Sequence, residues 1–248
     1  MKRDYNLEAR DSDRKYAYDF DNLLRQYMMK TFLTFVSGRE GKALEMGCFK
    51  GEFTEILTGY FKDITVLEAA DELVEFTRNR VGGKAKFICT TFEDFNGTEK
   101  YDYIFLMHTL EHLDEPKEIL KKVSSWLSDD GVLYLVCPNA NAPSRQIAVK
   151  MGLISHNAAV TESESIHGHR KTYSLDTLEE EISSTGLRVI HRGGIFFKAL
   201  ANYQFDRLMG TDIISDAYLD GCYKLGMLYP DLCASIYLLC GKENNSDK

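Results

Sequence analysis

Two short segments of this chain carry residues suited to holding a nucleoside-like ligand. The first, LEMGCFKG at Leu44–Gly51, is an apolar run that ends in a turn with two glycines, Gly47 and Gly51. A glycine at the end of a strand permits a tight turn and lets a ligand approach the backbone closely. The second segment ends at Glu68, and an acid about 20 residues beyond such a turn can accept both hydroxyls of an adenosine ribose. The two segments therefore predict a ligand site outside the carboxyl ends of neighbouring strands.

Histidines form a second group of residues suited to chemistry, because an imidazole with a pKa near neutrality is a common general base. His108 directly follows a predicted strand, whereas His167 and His169 lie in a long segment without regular periodicity. Loops of that length in a compact domain usually serve a function. His112 is expected to fix the start of a helix by a hydrogen bond. The candidate bases are therefore His108, His167 and His169.

These residues need a scaffold, and from about residue 42 the hydrophobic pattern alternates between strand and helix periods. Strands are expected at 42–48, 64–69, 86–89, 101–107, 131–137, 187–191 and 234–240. Helices are expected at about 19–35, 52–60, 71–80, 116–127 and after 174, with N-caps at Asp71, Asp114 and Ser174. Strands that alternate with helices in this way indicate βαβ units around a parallel sheet.

The composition excludes several classes of protein. The chain has 30 Lys and Arg against 38 Asp and Glu, a net charge of −8, and it lacks the basic stripe that a nucleic-acid partner requires. No run approaches the roughly 18 apolar residues of a membrane span, and the charged start shows no secretory signal. The six cysteines form no CxxC pair, which predicts buried free thiols in a reducing cytosol and no metal site. We therefore expect a cytoplasmic protein of unknown oligomeric state.

The motifs together resemble those of class I S-adenosylmethionine-dependent methyltransferases. The run Leu110-Glu111-His112 is the most specific, because it looks like the signature of the branch that includes ubiquinone-biosynthesis O-methyltransferases. The resemblance covers about residues 40–190 and implies an α/β fold, a Rossmann-like doubly wound seven-stranded sheet, mostly parallel with an antiparallel last strand. The matching segments are LEMGCFKG (44–51), VLEA (66–69), TTFEDF (90–95), YDYIFLMHTLEHLDEP (101–116), GVLYLVCPN (131–139) and HGHRKTYS (167–174).

The resemblance also implies the cofactor S-adenosylmethionine and the residues that bind it. Glu45 would lie near the ammonium group of the cofactor, Gly47 beside its methionine part, and Glu68 at the ribose hydroxyls. Met107 would offer its carbonyl to the methionine part. Ala69, Thr91 and Phe92 would lie beside the adenine. The cofactor-binding set is Glu45, Gly47, Gly51, Glu68, Ala69, Thr91, Phe92 and Met107.

One position departs from the family pattern. Phe49 stands where the loop usually has its middle glycine, so we expect a negative φ there and a ring near the cofactor. The same residue argues against an NAD site, whose Gly-x-Gly-x-x-Gly loop needs a glycine at this position.

The implied activity is methyl transfer to a small-molecule acceptor, most simply at an oxygen atom. An N-methyltransferase and a catalytically silent S-adenosylmethionine-binding module are the alternatives. Some O-methyltransferases bind a diol through Mg²⁺, but no carboxylate cluster in this sequence requires a metal. Residues 1–40 are expected to form a helical lid. Residues 41–248 would form the methyltransferase domain, with acceptor-side insertions at about 139–173 and 195–230.

Overall fold

The computed structural model describes residues 5–6, 19–36, 40–166 and 168–243, and within them seven strands form one sheet. The strands are β1 (Lys42–Met46), β2 (Asp63–Glu68), β3 (Lys86–Cys89), β4 (Tyr101–Met107), β5 (Leu127–Pro138), β6 (Leu187–Phe197) and β7 (Cys233–Lys242). Their order is β3-β2-β1-β4-β5-β7-β6. The first five pair in parallel, and β7 runs antiparallel between β5 and β6. The predicted α/β sheet with an antiparallel last strand is confirmed.

The order of the strands reverses beside β1, whose two neighbours are β2 and β4. At such a point the connections leave toward opposite faces of the sheet, and a crevice opens outside the carboxyl ends of the strands. Glu45, Glu68 and Met107 occupy the last or penultimate positions of β1, β2 and β4. The topology therefore brings these three predicted residues to one edge of the sheet.

Helices cover both faces of the sheet and separate most of its strands along the chain. They are α1 (Asp19–Phe32), α2 (Glu52–Thr58), α3 (Asp71–Val81), α4 (Pro116–Trp126), α5 (Pro143–Lys150), α6 (Glu162–Ile166), α7 (Leu175–Ile182), α8 (Asn202–Leu208) and α9 (Asp216–Leu228). Short 3₁₀ turns occupy Leu110–His112 and Pro230–Leu232. Across the described ranges, none of these helices has the length and apolar character needed to cross a membrane.

Two of the three predicted helix caps are wrong. Ser174 caps α7 as expected, because its hydroxyl accepts the Thr177 N–H at 3.3 Å. Asp71 instead lies in the first turn of α3, where a negative charge favours the helix N-terminus. The cap position is one residue earlier, at Ala70, whose backbone is extended and whose N–H is bound by the Glu68 side chain. The N-cap residue of α4 is Glu115, one residue beyond the predicted Asp114.

The two faces of the sheet carry separate apolar clusters. One includes side chains of α4 and α7, and the other includes those of α1, α2, α8 and α9. Phe20 of α1 is fully buried, with its ring centroid 5.4 Å from that of Phe196 and 4.6 Å from that of Phe205. Helix α1 thus contributes to the core, and its separate role as a lid stays a prediction. Five of the six cysteines are buried free thiols, and Cys89 is exposed.

Candidate active site

A cavity of about 1250 Å³ lies at the carboxyl ends of β1, β2 and β4. Pockets for a single small molecule usually measure about 300–1000 Å³, so this one has room for two ligands. The predicted residues that line it are Glu45, Gly47, Glu68, Ala69, Thr91, Phe92, Met107, His108 and His169. Gly51 is not among the lining residues, and His167 lies outside the described part of the chain.

Glu68 organises the loop that follows β1. Its Oε1 accepts the backbone N–H groups of Ala69 at 2.8 Å and Ala70 at 3.0 Å. Its Oε2 accepts those of Cys48 at 3.1 Å and Phe49 at 3.4 Å. A carboxylate offers about four acceptor positions, so all of them are used within the protein. A ribose diol would have to share or replace some of these bonds.

The conformation of Phe49 differs from the expectation, because its φ is +48° rather than negative. Its N–H is bound to Glu68 and its carbonyl accepts the Thr77 hydroxyl at 3.2 Å, which together hold the backbone in this region. Gly51 has a φ of +80°, and a Cβ there would lie 2.6 Å from the Thr77 side chain. This glycine therefore allows α3 to approach the loop and makes no contact with the cavity.

Glu45 presents a carboxylate to the cavity at the end of β1. It is 1% exposed, and its Oε2 has no hydrogen-bond partner in the described residues. Burial, and secondarily the negative charge of Glu68, raise its pKa to about 8 against the opposing effect of the Thr54 hydroxyl. A buried carboxylate without a full set of partners is costly. A cationic ligand beside it would relieve that cost.

His108 is held in a strained conformation directly after β4. Its φ is +48°, which is uncommon for a residue other than glycine and is often found at functional sites. Its backbone N–H donates to Val136 at 2.8 Å, and its Nε2 lies 2.9 Å from the Ser235 hydroxyl. Burial, together with the smaller effects of the Arg25 and His169 charges, lowers its pKa to about 3. The imidazole is therefore neutral at physiological pH.

A third group of side chains lies beside the cavity, and we did not anticipate it from the sequence. Glu111 and His112 belong to the 3₁₀ turn after β4, and His169 approaches them from the insertion that follows β5. The backbone N–H of Arg170 donates to the Glu111 carbonyl at 2.7 Å, which fixes this approach. Burial raises the pKa of the Glu111 carboxyl to about 8. The Leu-Glu-His run contains Glu111 and His112, but no local sequence pattern predicts that His169 lies beside them.

The insertion that carries His169 is fastened to α5 by one side chain. Arg145 forms an ion pair with Glu164, and its Nε donates to the Asn157 carbonyl at 2.8 Å. The backbone N–H of His169 in turn donates to the Glu164 carbonyl at 2.9 Å. Exposed apolar side chains of the same insertion, at Ile147 and Met151, line the mouth of the cavity.

The far end of the cavity is charged, which the sequence pattern also did not reveal. Lys198, at the end of β6, is 5% exposed, and burial lowers its pKa to about 8. Asp21 of α1 faces the same space, and burial raises its pKa to about 6 against the opposing charges of Arg25 and Lys198. Asn202 donates to the Asp21 carboxylate at 2.7 Å. These side chains can pair with a polar or charged group of a ligand.

Comparison with known families decides what kind of domain surrounds this cavity. A family model described as a methyltransferase domain matches residues 17–192. The chain belongs to this methyltransferase domain family. The match includes α1 and the segment with His169, both of which contribute to the cavity.

Individual relatives of this methyltransferase-domain protein are distant. Ubiquinone biosynthesis O-methyltransferase of Glaesserella parasuis serovar 5 (strain SH0165) is 28% identical over 117 residues, which are 44% of this chain and 50% of the relative. The chain thus spans about half the length of the curated relatives that it matches first.

Solved structures are similar over almost the whole chain, though at low identity. N-methyltransferase NodS from Bradyrhizobium japonicum WM9, in complex with S-adenosyl-l-homocysteine, has a TM-score of 0.60 and 13% identity and covers 96% of both chains. The plantazolicin methyltransferase BamL, bound to a triazolic desmethylPZN analog and the same nucleoside, has a TM-score of 0.62 and 18% identity, covering 93% of this chain and 89% of that one. Such identities establish a shared fold. The expected S-adenosylmethionine agrees with the product that both neighbours hold.

Proposed function

We propose that this chain transfers a methyl group from S-adenosylmethionine to an oxygen atom of a small-molecule acceptor. The observation that carries the proposal is that Glu45 and His108 line one cavity, at the ends of two adjacent strands. Glu45 supplies a partner for the cationic cofactor, and His108 supplies a neutral base. The volume of the cavity accommodates both reactants.

The cofactor half of the proposal assigns one contact to each buried group. The ammonium of S-adenosylmethionine would pair with the Glu45 oxygen that lacks a partner. Gly47 lines the same space with a φ of +81° and no side chain, so the methionine part can pass along the backbone. Glu68 would hold the ribose by exchanging one or more of its bonds to the loop.

In the acceptor half of the proposal, a proton and a methyl group are transferred in the same step. The bond between the sulfonium sulfur and the methyl carbon breaks as a bond from the acceptor oxygen to that carbon forms. In the tautomer whose Nε2–H donates to Ser235, the Nδ1 atom of His108 takes the hydroxyl proton. One positive charge is lost from sulfur and one is gained by the imidazole, so the net charge of the site is conserved. Alignment of the reactants can supply about 7–11 kcal/mol of the barrier reduction.

A thermal-shift titration followed by a turnover assay tests the proposal. S-adenosylmethionine at 100 times its Kd should raise the melting temperature by about 5–10 °C. A panel of phenols, catechols, hydroxy acids and primary amines is then screened for S-adenosylhomocysteine formation. Absence of any thermal shift would contradict the cofactor assignment.

The same screen separates the alternatives. NodS, the structural neighbour described above, is an N-methyltransferase, so turnover with amines alone would favour methyl transfer to nitrogen. A thermal shift without turnover of any acceptor would favour a silent binding module. The buried thiols agree with a reducing compartment such as the cytoplasm, to which we assign the protein as part of this proposal.

A further inference from the structure

Two cationic side chains line the cavity without an acid bound to either of them. Lys198 follows β6 directly and is 5% exposed. Its Nζ donates to the Leu200 carbonyl at 2.9 Å and lies 5.4 Å from the centroid of the Phe20 ring. Arg25 of α1 donates to the Asn22 side chain at 3.0 Å. Within the described ranges, neither cation takes part in a salt bridge.

The charges at this end of the cavity do not balance. Arg25 and Lys198 both act on the Asp21 carboxylate, which lies one helical turn before Arg25 and accepts the Asn202 amide at 2.7 Å. One acid therefore faces two cations, and burial leaves the pKa of Lys198 at about 8, so its amine is mostly protonated at pH 7. A lysine is rarely this buried unless it is paired, because a buried charge without a counter-ion is costly. A ligand with a single negative charge would complete the balance.

The anion that fits beside Lys198 belongs to a ligand other than the cofactor. β6 and β5 are both antiparallel to β7, so β6 ends at the same edge of the sheet as β1 does. Three strands lie between β1 and β6, which places their ends about 19 Å apart at about 4.8 Å per strand. The ammonium and carboxylate of S-adenosylmethionine are borne by one carbon atom. A cofactor with its ammonium at Glu45 therefore cannot place its carboxylate at Lys198.

We propose that Lys198, together with Arg25, binds a carboxylate group of the methyl acceptor, an assignment that rests on the proposed function. Hydrogen bonds from an ammonium or guanidinium group to a carboxylate are charge-assisted and therefore strong. A carboxylate also carries the single negative charge that this end of the cavity lacks. A phosphate monoester carries nearly two negative charges at pH 7, and its excess charge would be repelled by Asp21.

The candidate base borders the same part of the cavity. The imidazole of His108 lies 2.9 Å from the hydroxyl of Ser235 in β7. Ser235 pairs with Ile195 of β6, three residues before Lys198. An acceptor whose carboxylate binds Lys198 thus extends along the end of β6 toward His108. The favoured acceptors are hydroxylated carboxylic acids, with the reacting hydroxyl remote from the carboxylate.

Calorimetry on the full-length protein saturated with S-adenosylhomocysteine tests this site. The probes are para-hydroxybenzoate, para-hydroxycinnamate and omega-hydroxydecanoate, each paired with its neutral primary amide, and phenyl phosphate. We expect at least one acid to bind about tenfold or more tightly than its amide, the effect of a hydrogen bond to a charged group. Lys198→Met and Lys198→Gln should abolish this preference and leave S-adenosylhomocysteine affinity unchanged. Lys121→Met, at an exposed position of α4, is the matched control and should bind as the wild type does.

Thermal denaturation of the same samples separates a binding role from a structural one. Lys198→Met replaces a buried charge by an apolar chain, so its melting temperature should not fall. Equal binding of acids and amides by the wild type would overturn the carboxylate site. An unchanged preference in the folded Lys198 variants, or weaker S-adenosylhomocysteine binding by them, would do the same, as would phenyl phosphate that binds more tightly than every acid.

The proposed function fails separately from this site. If the wild type does not bind S-adenosylhomocysteine, the cofactor assignment is wrong, and the acids and amides are then titrated against the protein alone. A preference for an acid that both Lys198 variants lose would leave the carboxylate site standing. Absence of that preference would overturn the site as well.

Discussion

Glu68 and Glu111 are both buried acids beside the carboxyl ends of strands, yet their surroundings are opposite. Glu68 accepts four backbone N–H groups from the loop after β1 and the turn before α3. Glu111 receives no hydrogen bond of good geometry from the described residues, and burial raises the pKa of its carboxyl to about 8. The first acid is satisfied by the protein itself. The second lacks such partners, and burial keeps it largely protonated near neutral pH.

Glu68 lines the cavity, and Glu111 lies next to His112 and His169, which line it. The part of the cavity that we propose for the cofactor is lined by the ends of β1, β2 and β4, where Glu68 holds the loop even in the absence of a ligand. The part that we propose for the acceptor is lined by residues after β4, in β7 and in the insertion around α5 and α6. Incomplete pairing is not confined to one part, because Glu45 at the end of β1 also has an oxygen without a hydrogen-bond partner in the described residues. Five substitutions test the proposed roles, from the largest expected effect to the smallest.

The sharpest test of the acceptor half is His108→Asn. Asparagine tolerates the positive φ at this position better than alanine does, so the backbone should keep its shape while the base is lost. With an acceptor in hand, we expect the methyl-transfer rate to fall by about 10²–10⁴, with cofactor affinity unchanged within twofold.

His156→Ala is the control for that measurement, because His156 is exposed. Retention of more than about a tenth of the wild-type rate in His108→Asn would show that alignment alone suffices. The proposed division would then need a different base, such as His169.

Helix α1 contributes to both the core and the cavity, and two substitutions separate these contributions. Phe20→Ala removes a fully buried ring from the aromatic cluster and should cost about 3–5 kcal/mol of unfolding free energy. Arg25→Ala, on the face that lines the cavity, should leave the unfolding free energy nearly unchanged and lower turnover. Urea denaturation and acceptor turnover give the two numbers. If Arg25→Ala has no kinetic effect, α1 has a packing role alone and the predicted lid is wrong.

Glu68→Ala tests the cofactor half. Removal of a charged acceptor should reduce S-adenosylhomocysteine affinity by about 1.5–3 kcal/mol, as measured by calorimetry. The melting temperature should also fall, since four N–H groups lose their partner. Asp71→Ala, three residues away and exposed, is the matched control. Unchanged affinity in a folded Glu68→Ala protein would remove Glu68 from the ribose site.

The smallest expected effect is on the pH dependence of cofactor affinity, through the protonation state of Glu45. Its pKa is raised to about 8, so it is largely protonated near pH 6, whereas an ammonium ligand favours the carboxylate. Cofactor affinity should therefore rise with pH, by up to about tenfold per unit, until the ligand's own amino group begins to deprotonate near about pH 8. Glu45→Gln should bind more weakly and show a flat profile between pH 6 and about 7.5.

Stability without cofactor should show the opposite trend. A carboxyl whose pKa is raised on folding stabilises the protein below its usual pKa of 4.5, and this contribution is lost as pH rises through about 8. Glu45→Gln should therefore lose less unfolding free energy between pH 6 and 8.5 than the wild type does. Equal losses in the two proteins would indicate that Glu45 is already ionised before the ligand binds.

Local pattern sufficed for most of the elements and for most of the residues that line the cavity at the ends of β1, β2 and β4. The bounds of β3 and β4 match the predicted 86–89 and 101–107, because apolar runs flanked by polar turns are read directly from sequence. The failures are instructive: Asp71 is the first residue of α3 and not its cap, and Phe49 has a positive φ in a loop whose backbone is held by Glu68 and Thr77. For Phe49, the groups that hold the backbone lie at the end of β2 and in α3, which a pattern local to the loop does not include.

The sequence by itself determined the α/β alternation, the glycine turn after β1 and the acids at the strand ends, since each depends on periodicity or spacing over a few residues. The tertiary structure alone decided which distant side chains lie beside the candidate bases. His108 meets Ser235 across 127 residues of chain, and Glu111 meets His169 because the insertion folds back onto the turn after β4. The physical reason is that strand order and long-range burial select which loops share an edge, and the spacing of residues along the chain does not specify either.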